Sequence, residues 1–144
     1  MKYFEDILKK YTDADNNEIP NLSRTVNIDS VINSEYLIDY YIKDGDTPEL
    51  LALNLYNDKD MWWVIPVVNK MLDIYNEWPL TSRVLKSWYT KLVADGEITG
   101  TAAQKAVIFA TLKTENNAKR KVSVIDPKFI GDFQKDLQTV INNI

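Results

Sequence analysis

The stretch that decides the fold runs from Tyr40 to Asn69 and reads "YYIKDGDTPELLALNLYNDKDMWWVIPVVN". It begins inside a segment, Tyr36–Lys43, in which apolar side chains recur at every second position. This period is typical of a half-buried strand, because successive side chains of a strand point to opposite faces. A strand is therefore predicted over Tyr36–Lys43.

The sequence Asp44-Gly45-Asp46-Thr47-Pro48 ends this strand and begins a helix. Gly45 can adopt a positive φ at no steric cost. Thr47 is placed to cap a helix, and Pro48 occupies its first position, where a missing N–H costs nothing. The helix is predicted to end near Asn57. Turn chemistry explains Asp44 and Asp46 better than catalysis, since a glycosidase holds two carboxyl groups about 5–10 Å apart across a cleft.

The segment "NDKDMWWVIPVVNK" is apolar on every side, so its periodicity does not distinguish a buried helix from a buried strand. We favour a short, bent, buried helix, capped by Asp58 or Asp60 and missing one backbone bond late in its course at Pro66. Adjacent residues of a helix point about 100° apart, so Trp62 and Trp63 cannot form one flat platform for a sugar. At least one of the two indoles is expected in the core.

A helical hairpin is predicted to follow. Its first helix begins at a cap, Thr81 or Ser82, and ends near Gly96, with an apolar stripe formed by Val84, Leu85, Trp88 and Leu92. The second helix covers roughly Thr101 to Asn116. Trp78 lies in the turn before the hairpin, where covering the core edge and contacting a partner are equally good explanations.

The chain closes with a strand, "KRKVSVI", and a helix that Asp126 and Pro127 begin. That helix is amphipathic, with a stripe of Phe129, Ile130, Phe133, Leu137, Val140 and Ile141. The two predicted strands are expected to pair antiparallel over the two central helices. The predicted fold class is α+β, with a strand-helix-helix-strand core and a helical insertion at about residues 80–117.

Residues 1–34 are predicted to form an N-terminal arm before the domain of residues 35–144. The arm has a short helix around Tyr3–Tyr11, a polar loop "TDADNNEIPN", and an extended segment "NLSRTVNI". The loop lacks the glycine and the final glutamate of a calcium loop, having Glu18 and Arg24 there. The arm buries too little to offset the ~1–2 kcal/mol per residue of backbone ordering, so we expect it to become ordered only in an assembly.

Composition narrows the classes of function. The 144 residues are enough for one domain, the net charge is −4, and the chain has neither cysteine nor histidine. Disulfides, thiolate sites and histidine catalysis are thereby excluded, and no enzyme activity, metal or cofactor is expected. No nucleic-acid partner is expected, because the only basic cluster is Lys119, Arg120 and Lys121. No membrane span or export signal is expected either, since no apolar run approaches ~18 residues and the N-terminus is charged.

The same residues carry a resemblance to known proteins. "YIKDGDTPELLA" is similar to the start of a LysM module, and "ALNLYNDKDMWWVIPVVN" followed by "YNEWPLTSRVL" resembles the baseplate wedge protein 53 family of contractile-tailed bacteriophages. The shared features are the Trp62–Trp63 pair, Asn69 and the turn Glu77-Trp78-Pro79. The early "MKYF" and "LSRTVNI" and the closing "NNAKRKVSVIDPKFIGDFQKDL" also resemble family segments.

The resemblance implies a LysM-like core and a structural role in the virion. It implies a wedge component made in the host cytoplasm that joins neighbouring wedge subunits in the tail baseplate, around the tail tube and the start of the sheath. The implied partners are other wedge subunits and the sheath-initiating protein, with several copies per six-fold baseplate. The alternative is a peptidoglycan- or chitin-binding LysM module. Partner contacts are expected at Leu22, Arg24, Val26, Ile28, Asp44, Asp46 and Trp78.

Overall fold

The structure, a computed structural model, describes residues 1–7, 10–20 and 28–143, without the side chains of Tyr3, Phe4 and Pro20. Its strands are β1 (Lys10–Thr12), β2 (Glu18–Pro20), β3 (Leu37–Tyr41) and β4 (Lys121–Ile125). Its α-helices are α1 (Pro48–Tyr56), α2 (Val64–Val68), α3 (Ile74–Glu77), α4 (Ser82–Ala94), α5 (Ala102–Ala118) and α6 (Ile130–Asn142). A π-helical turn covers Tyr3–Ile7, and 3₁₀ turns cover Ile28–Ser30, Ser34–Tyr36, Lys59–Met61 and Pro127–Phe129. The predicted α+β class is confirmed.

The chain forms two compact units, each assembled from separate stretches of sequence. The first unit consists of Met1–Asp39, Thr47–Met71 and Ser123–Ile144. The second unit consists of Tyr40–Asp46 and Leu72–Val122.

Strands β3 and β4 pair with each other in antiparallel fashion, as predicted. In the second unit the Ile42 N–H donates to the Arg120 carbonyl at 2.8 Å. In the first unit the Asp126 N–H donates to the Tyr36 carbonyl at 2.7 Å. These bonds alternate along an antiparallel ladder, so the backbone groups of Ser123 face away from β3.

Side chains complete that outer edge of β4 in the first unit. The Asn69 amide accepts from the Ser123 N–H at 2.8 Å and donates to the Ser123 carbonyl at 2.7 Å. The Tyr56 hydroxyl accepts from the Ile125 N–H at 3.1 Å, and burial raises the pKa of Tyr56 to about 12. The side-chain amide of Asn69 therefore forms the two hydrogen bonds that a residue of a neighbouring third strand would form with Ser123.

Helix α1 has the predicted ends. The Thr47 hydroxyl accepts from the Leu50 N–H at 3.2 Å, and Pro48 is the first helical residue. Asn57 ends the helix in the left-handed conformation, with a φ of 55°. Gly45, in the turn before the helix, has the predicted positive φ, 91°.

The tryptophan segment is helical and buried, as predicted. Asp58 caps the 3₁₀ turn through the Asp60 N–H, and α2 follows. The expected late interruption at Pro66 is wrong, because Pro66 is the third residue of α2, where its missing N–H would have no intrahelical partner. The core of the first unit contains Ile7, Ile28, Val31, Leu51, Ala52, Met61, Trp63, Val64, Ile65, Val124, Ile125, Phe133 and Leu137.

The predicted helical hairpin of the second unit is present as α4 and α5. The Thr81 hydroxyl caps α4 through the Val84 N–H, and Thr101 forms a capping box with Gln104 at the start of α5. The rings of Tyr89 and Phe109 lie 4.7 Å apart between the helices. The apolar stripe predicted for α4 lies mostly outside the core. Only Leu85 of α4 is buried, while Val84 and Trp88 are each 44% exposed.

The N-terminal segment differs from its prediction. The expected helix to Tyr11 is wrong, because the helical turn covers Tyr3–Ile7 and Tyr11 lies in β1. The expected polar loop is the turn of a hairpin in which β1 pairs antiparallel with β2. The Asp13 carboxylate accepts hydrogen bonds from the backbone N–H groups of Asp15 and Asn17, each at 2.9 Å. These bonds explain why an aspartate occupies this position of the turn. The ordering of the arm on assembly stays a prediction.

Replacing Gly45 by valine should lower the free energy of unfolding by about 1–3 kcal/mol, because a β-branched residue is strained at positive φ. No heavy atom lies within 4 Å of the added Cβ, so the cost is conformational and not a clash. Thermal unfolding measures it. The control is Gly131→Ala in α6, where φ is ordinary and alanine should be neutral or stabilising by up to about 1 kcal/mol. Equal midpoints for the two variants would contradict the strain.

Asn69→Leu should destabilise the protein by about 2–4 kcal/mol, because it leaves the partly buried Ser123 N–H and carbonyl unpaired. Urea unfolding measures the loss. Asn142→Leu is the matched control, since Asn142 makes one exposed bond with Gln138 and its loss should cost under about 0.5 kcal/mol. If the two variants unfold alike, Asn69 does not support the edge of β4.

Candidate interaction site

A network of polar side chains lies in the second unit, around the turn after β3. The Asp44 carboxylate accepts from the Ser82 N–H at 2.9 Å and from the Arg120 guanidinium at 3.0 Å. The Ser82 N–H and then Arg120 hold the pKa of Asp44 below its ordinary value. A lowered pKa means that the ionised carboxylate stabilises the fold above pH about 3.9 and that this contribution is lost as the pH falls through the lowered value.

Asp46 closes the same turn from the other side. Its carboxylate accepts from the Lys43 N–H at 2.8 Å and from the Tyr40 hydroxyl at 3.1 Å. Partial burial and this bond to Asp46 raise the pKa of Tyr40. The Asp46 carbonyl accepts from the Trp78 indole N–H at 3.0 Å, which ties the Trp-Pro turn to the end of β3.

Arg120 is the buried centre of this network, with 6% of its surface exposed. Besides Asp44, its guanidinium donates to the carbonyls of Ile42 at 3.2 Å and Leu80 at 3.1 Å. Asn116 lies beside it and forms two bonds with Leu80, accepting from the N–H at 2.8 Å and donating to the carbonyl at 2.9 Å. Arg120 and Asn116 thus hold the turn before α4 by its backbone.

The chemistry of this network is that of a structural brace. Each carboxylate in it faces backbone N–H groups, a hydroxyl or the guanidinium. Within the described residues, no group of three or more Asp, Glu, His or Cys is placed to hold a metal ion. In that same part of the chain, no helix has the length and apolar character needed to cross a membrane.

The predicted site residues fall into three groups. Asp44, Asp46 and Trp78 are brought together in the network, and the Trp78 indole N–H donates to the Asp46 carbonyl. Ile28 is buried in the first unit, 7% exposed. The other predicted residues, Leu22, Arg24 and Val26, lie outside the described residues. Sequence reasoning missed Arg120 and Asn116, because Arg120 has charged neighbours on both sides and nothing local marks it as the buried one.

The second unit also exposes large apolar side chains. Leu72 is 99% exposed, and Tyr75 in α3 is 90% exposed. Val107 of α5 is 67% exposed. Helix α3 was not predicted, although Asp73 caps it through the Tyr75 N–H at 3.1 Å.

The tryptophan pair of the first unit does not form an aromatic platform. Trp63 is buried, 3% exposed, and its indole N–H donates to the Met1 carbonyl at 3.0 Å. Trp62 is 37% exposed. The prediction that at least one of the pair lies in the core is confirmed.

The fold and the network define a small α+β protein in which buried polar side chains brace the turns of the second unit. The base plate wedge protein 53 family matches residues 11–92 of the chain. Because the match spans more than half of the 144 residues, the chain belongs to this family, and it is a structural protein of the phage tail baseplate. The match ends within α4, so the resemblance of the closing strand and helix stays a prediction. A comparison with curated protein sequences finds no match.

Arg120→Met should lower the free energy of unfolding by about 2–4 kcal/mol, since it removes a charged donor from the Asp44 carboxylate and from the carbonyls of Ile42 and Leu80. Urea unfolding at pH 7 tests the loss. Arg83→Met, on the exposed face of α4, is the control and should change stability by less than about 0.5 kcal/mol. Arg120→Lys should not restore the wild-type value, because lysine lacks the planar fork. An Arg120→Met variant as stable as the control would refute the brace.

Proposed function

We propose that this chain joins neighbouring wedge subunits of the baseplate, around the tail tube and the start of the sheath. The proposed partners are the larger wedge subunits and the sheath-initiating protein. Several copies of the chain are proposed per six-fold baseplate, and the chain is proposed to be synthesised in the host cytoplasm. The observation that carries the proposal is the family match over residues 11–92.

The exposed apolar residues of the second unit support a joining role. Leu72 and Tyr75 leave nearly all of their side chains in water, within three residues of each other. A large apolar side chain gains nothing from that position in an isolated chain, whereas in an interface it can fill a pocket of a partner. Leu72 and Tyr75 are therefore proposed as contacts with a wedge subunit.

The order of the core elements supports a LysM-like module used for protein contacts. β3, α1, α2 and β4 follow the strand-helix-helix-strand order expected of such a module, with α3, α4 and α5 inserted before β4. Half of the Asp44 side chain is exposed, so one side of the network is open to a partner. The segment from Leu22 to Ile28 remains proposed as a partner-binding arm.

Glycan binding is the less favoured function. A sugar platform needs a flat exposed ring, and one indole of the Trp62–Trp63 pair is buried. The polar atoms of the Gly-Asp turn, which could bind sugar hydroxyls, are engaged by Ser82, Arg120, Lys43 and Tyr40.

The double variant Leu72→Ser/Tyr75→Ser should reduce incorporation of the chain into tails by about tenfold or more, because a truncated interface anchor costs on the order of 1–2 kcal/mol or more. Quantitative mass spectrometry of tails purified from phage carrying the variant measures incorporation. Its thermal midpoint should remain near that of the wild type, since both residues are exposed. Lys135→Ser, on the exposed side of α6, is the control and should leave incorporation unchanged.

Two outcomes would contradict the proposed function. One is the absence of the wild-type chain from purified tails. The other is saturable retention of the purified chain on insoluble peptidoglycan that chitin oligomers reverse, which would favour the glycan-binding alternative.

A further inference from the structure

The outward side of α4 concentrates positive charge in an acidic chain. Between Ser82 and Ala94 the helix contains Arg83, Lys86 and Lys91 and no aspartate or glutamate, while the whole chain has a net charge of −4. All three cations are exposed. None of them forms an ion pair with a carboxylate of the residues that the structure describes.

Two apolar side chains lie among these cations. Val84 and Trp88 are four residues apart, so they occupy one face of the helix, and each is 44% exposed. With Arg83, Ser87 and Lys91 they line a shallow surface depression. The partly open indole and the valine provide an apolar floor between flexible cations.

The stability of the helix does not account for this arrangement. Arg83 is the second residue of α4, where a cation opposes the helix dipole, and the carboxylate at that end, Asp44, is bonded to Ser82 and Arg120. Trp88 keeps 44% of its surface in contact with water in the isolated chain. Lys91 lies in the last turn, where a cation suits the dipole, but Arg83 and the exposed part of the indole contribute nothing to the stability of the helix, and an external ligand could contact both.

We propose that Arg83, Val84, Lys86, Ser87, Trp88 and Lys91, the α4 face, dock an acidic amphipathic segment of another baseplate protein. Carboxylates of that segment pair with Arg83, Lys86 and Lys91, and an apolar side chain between them packs on Val84 and Trp88. Charge complementarity selects the partner, because the face presents cations only. The proposal rests on the proposed baseplate function and specifies the charge and polarity of the segment that contacts the α4 face.

A nucleic acid fits the α4 face less well than an acidic protein segment. A DNA-binding surface typically neutralises about 6–10 phosphates, and the face offers three cations around an apolar centre. An acidic segment with an apolar residue matches both the number of charges and the indole.

Photo-crosslinking inside the tail tests the α4 face without disturbing its charge. A photoreactive amino acid placed at Ser87, in tails purified from the phage that encodes this chain, should crosslink to a segment of a different tail protein that contains more carboxylates than cations. The same amino acid at Lys135 in α6 provides the background level. Crosslinks at Ser87 that stay at background, or that reach a second copy of the chain, DNA or a segment without net negative charge, would overturn the proposal.

A charge-reversal pair tests the electrostatic part. Lys86→Glu/Lys91→Glu should lower incorporation into tails at least tenfold, and replacing two carboxylates of the crosslinked segment by lysine should restore it. Lys59→Glu/Lys135→Glu, which makes the same change in net charge at exposed positions of the first unit, should leave incorporation unchanged. Equal losses for the two variants, or no rescue, would overturn the proposal. Absence of the wild-type chain from tails would reject the baseplate function itself, whereas its presence with no specific crosslink at Ser87 would reject the α4 face alone.

Discussion

The first unit depends on how the outer edge of β4 is closed. A sheet of two short strands is marginal in water, and each strand has a row of unpaired backbone groups. Here β3 covers one side of β4, and the amide of Asn69 and the hydroxyl of Tyr56 satisfy the other. Since Asn69 follows directly after α2, the closure of the edge requires α2 to end at that residue. The burial of Trp63, Val64 and Ile65 holds the helix against the core and so fixes the register of Asn69.

The residues that resemble the family have separable physical tasks. Trp63 is a buried anchor, Asn69 completes a strand edge, and Trp78 ties a turn to the backbone of Asp46. Each task uses the polar atom of the side chain inside the protein. The residues that resemble the family therefore contribute to the fold of this chain.

The features that were predicted well from the sequence are those set by local interactions. The caps at Thr47 and Thr81 and the positive φ of Gly45 depend on neighbours within a few residues, so their patterns are complete in the sequence. The pairing of β3 with β4 was predictable because these were the two best strand candidates. Of the site, Asp44 and Asp46 were found as turn residues and Trp78 was left open between two roles.

What could not be predicted depends on contacts across long stretches of sequence. The burial of Arg120 requires Ile42, Leu80 and Asp44 to converge on it, and no local pattern distinguishes it from Lys119 or Lys121. An apolar stripe on a helix usually indicates the face that packs against the core. Val84 and Trp88 belong to such a stripe but are each 44% exposed. That rule assumes that the chain folds around all of its own apolar residues. In a subunit of an assembly part of the core is supplied by a neighbour, so an apolar stripe that stays exposed in the isolated chain is the pattern expected of a helix that packs against another protein.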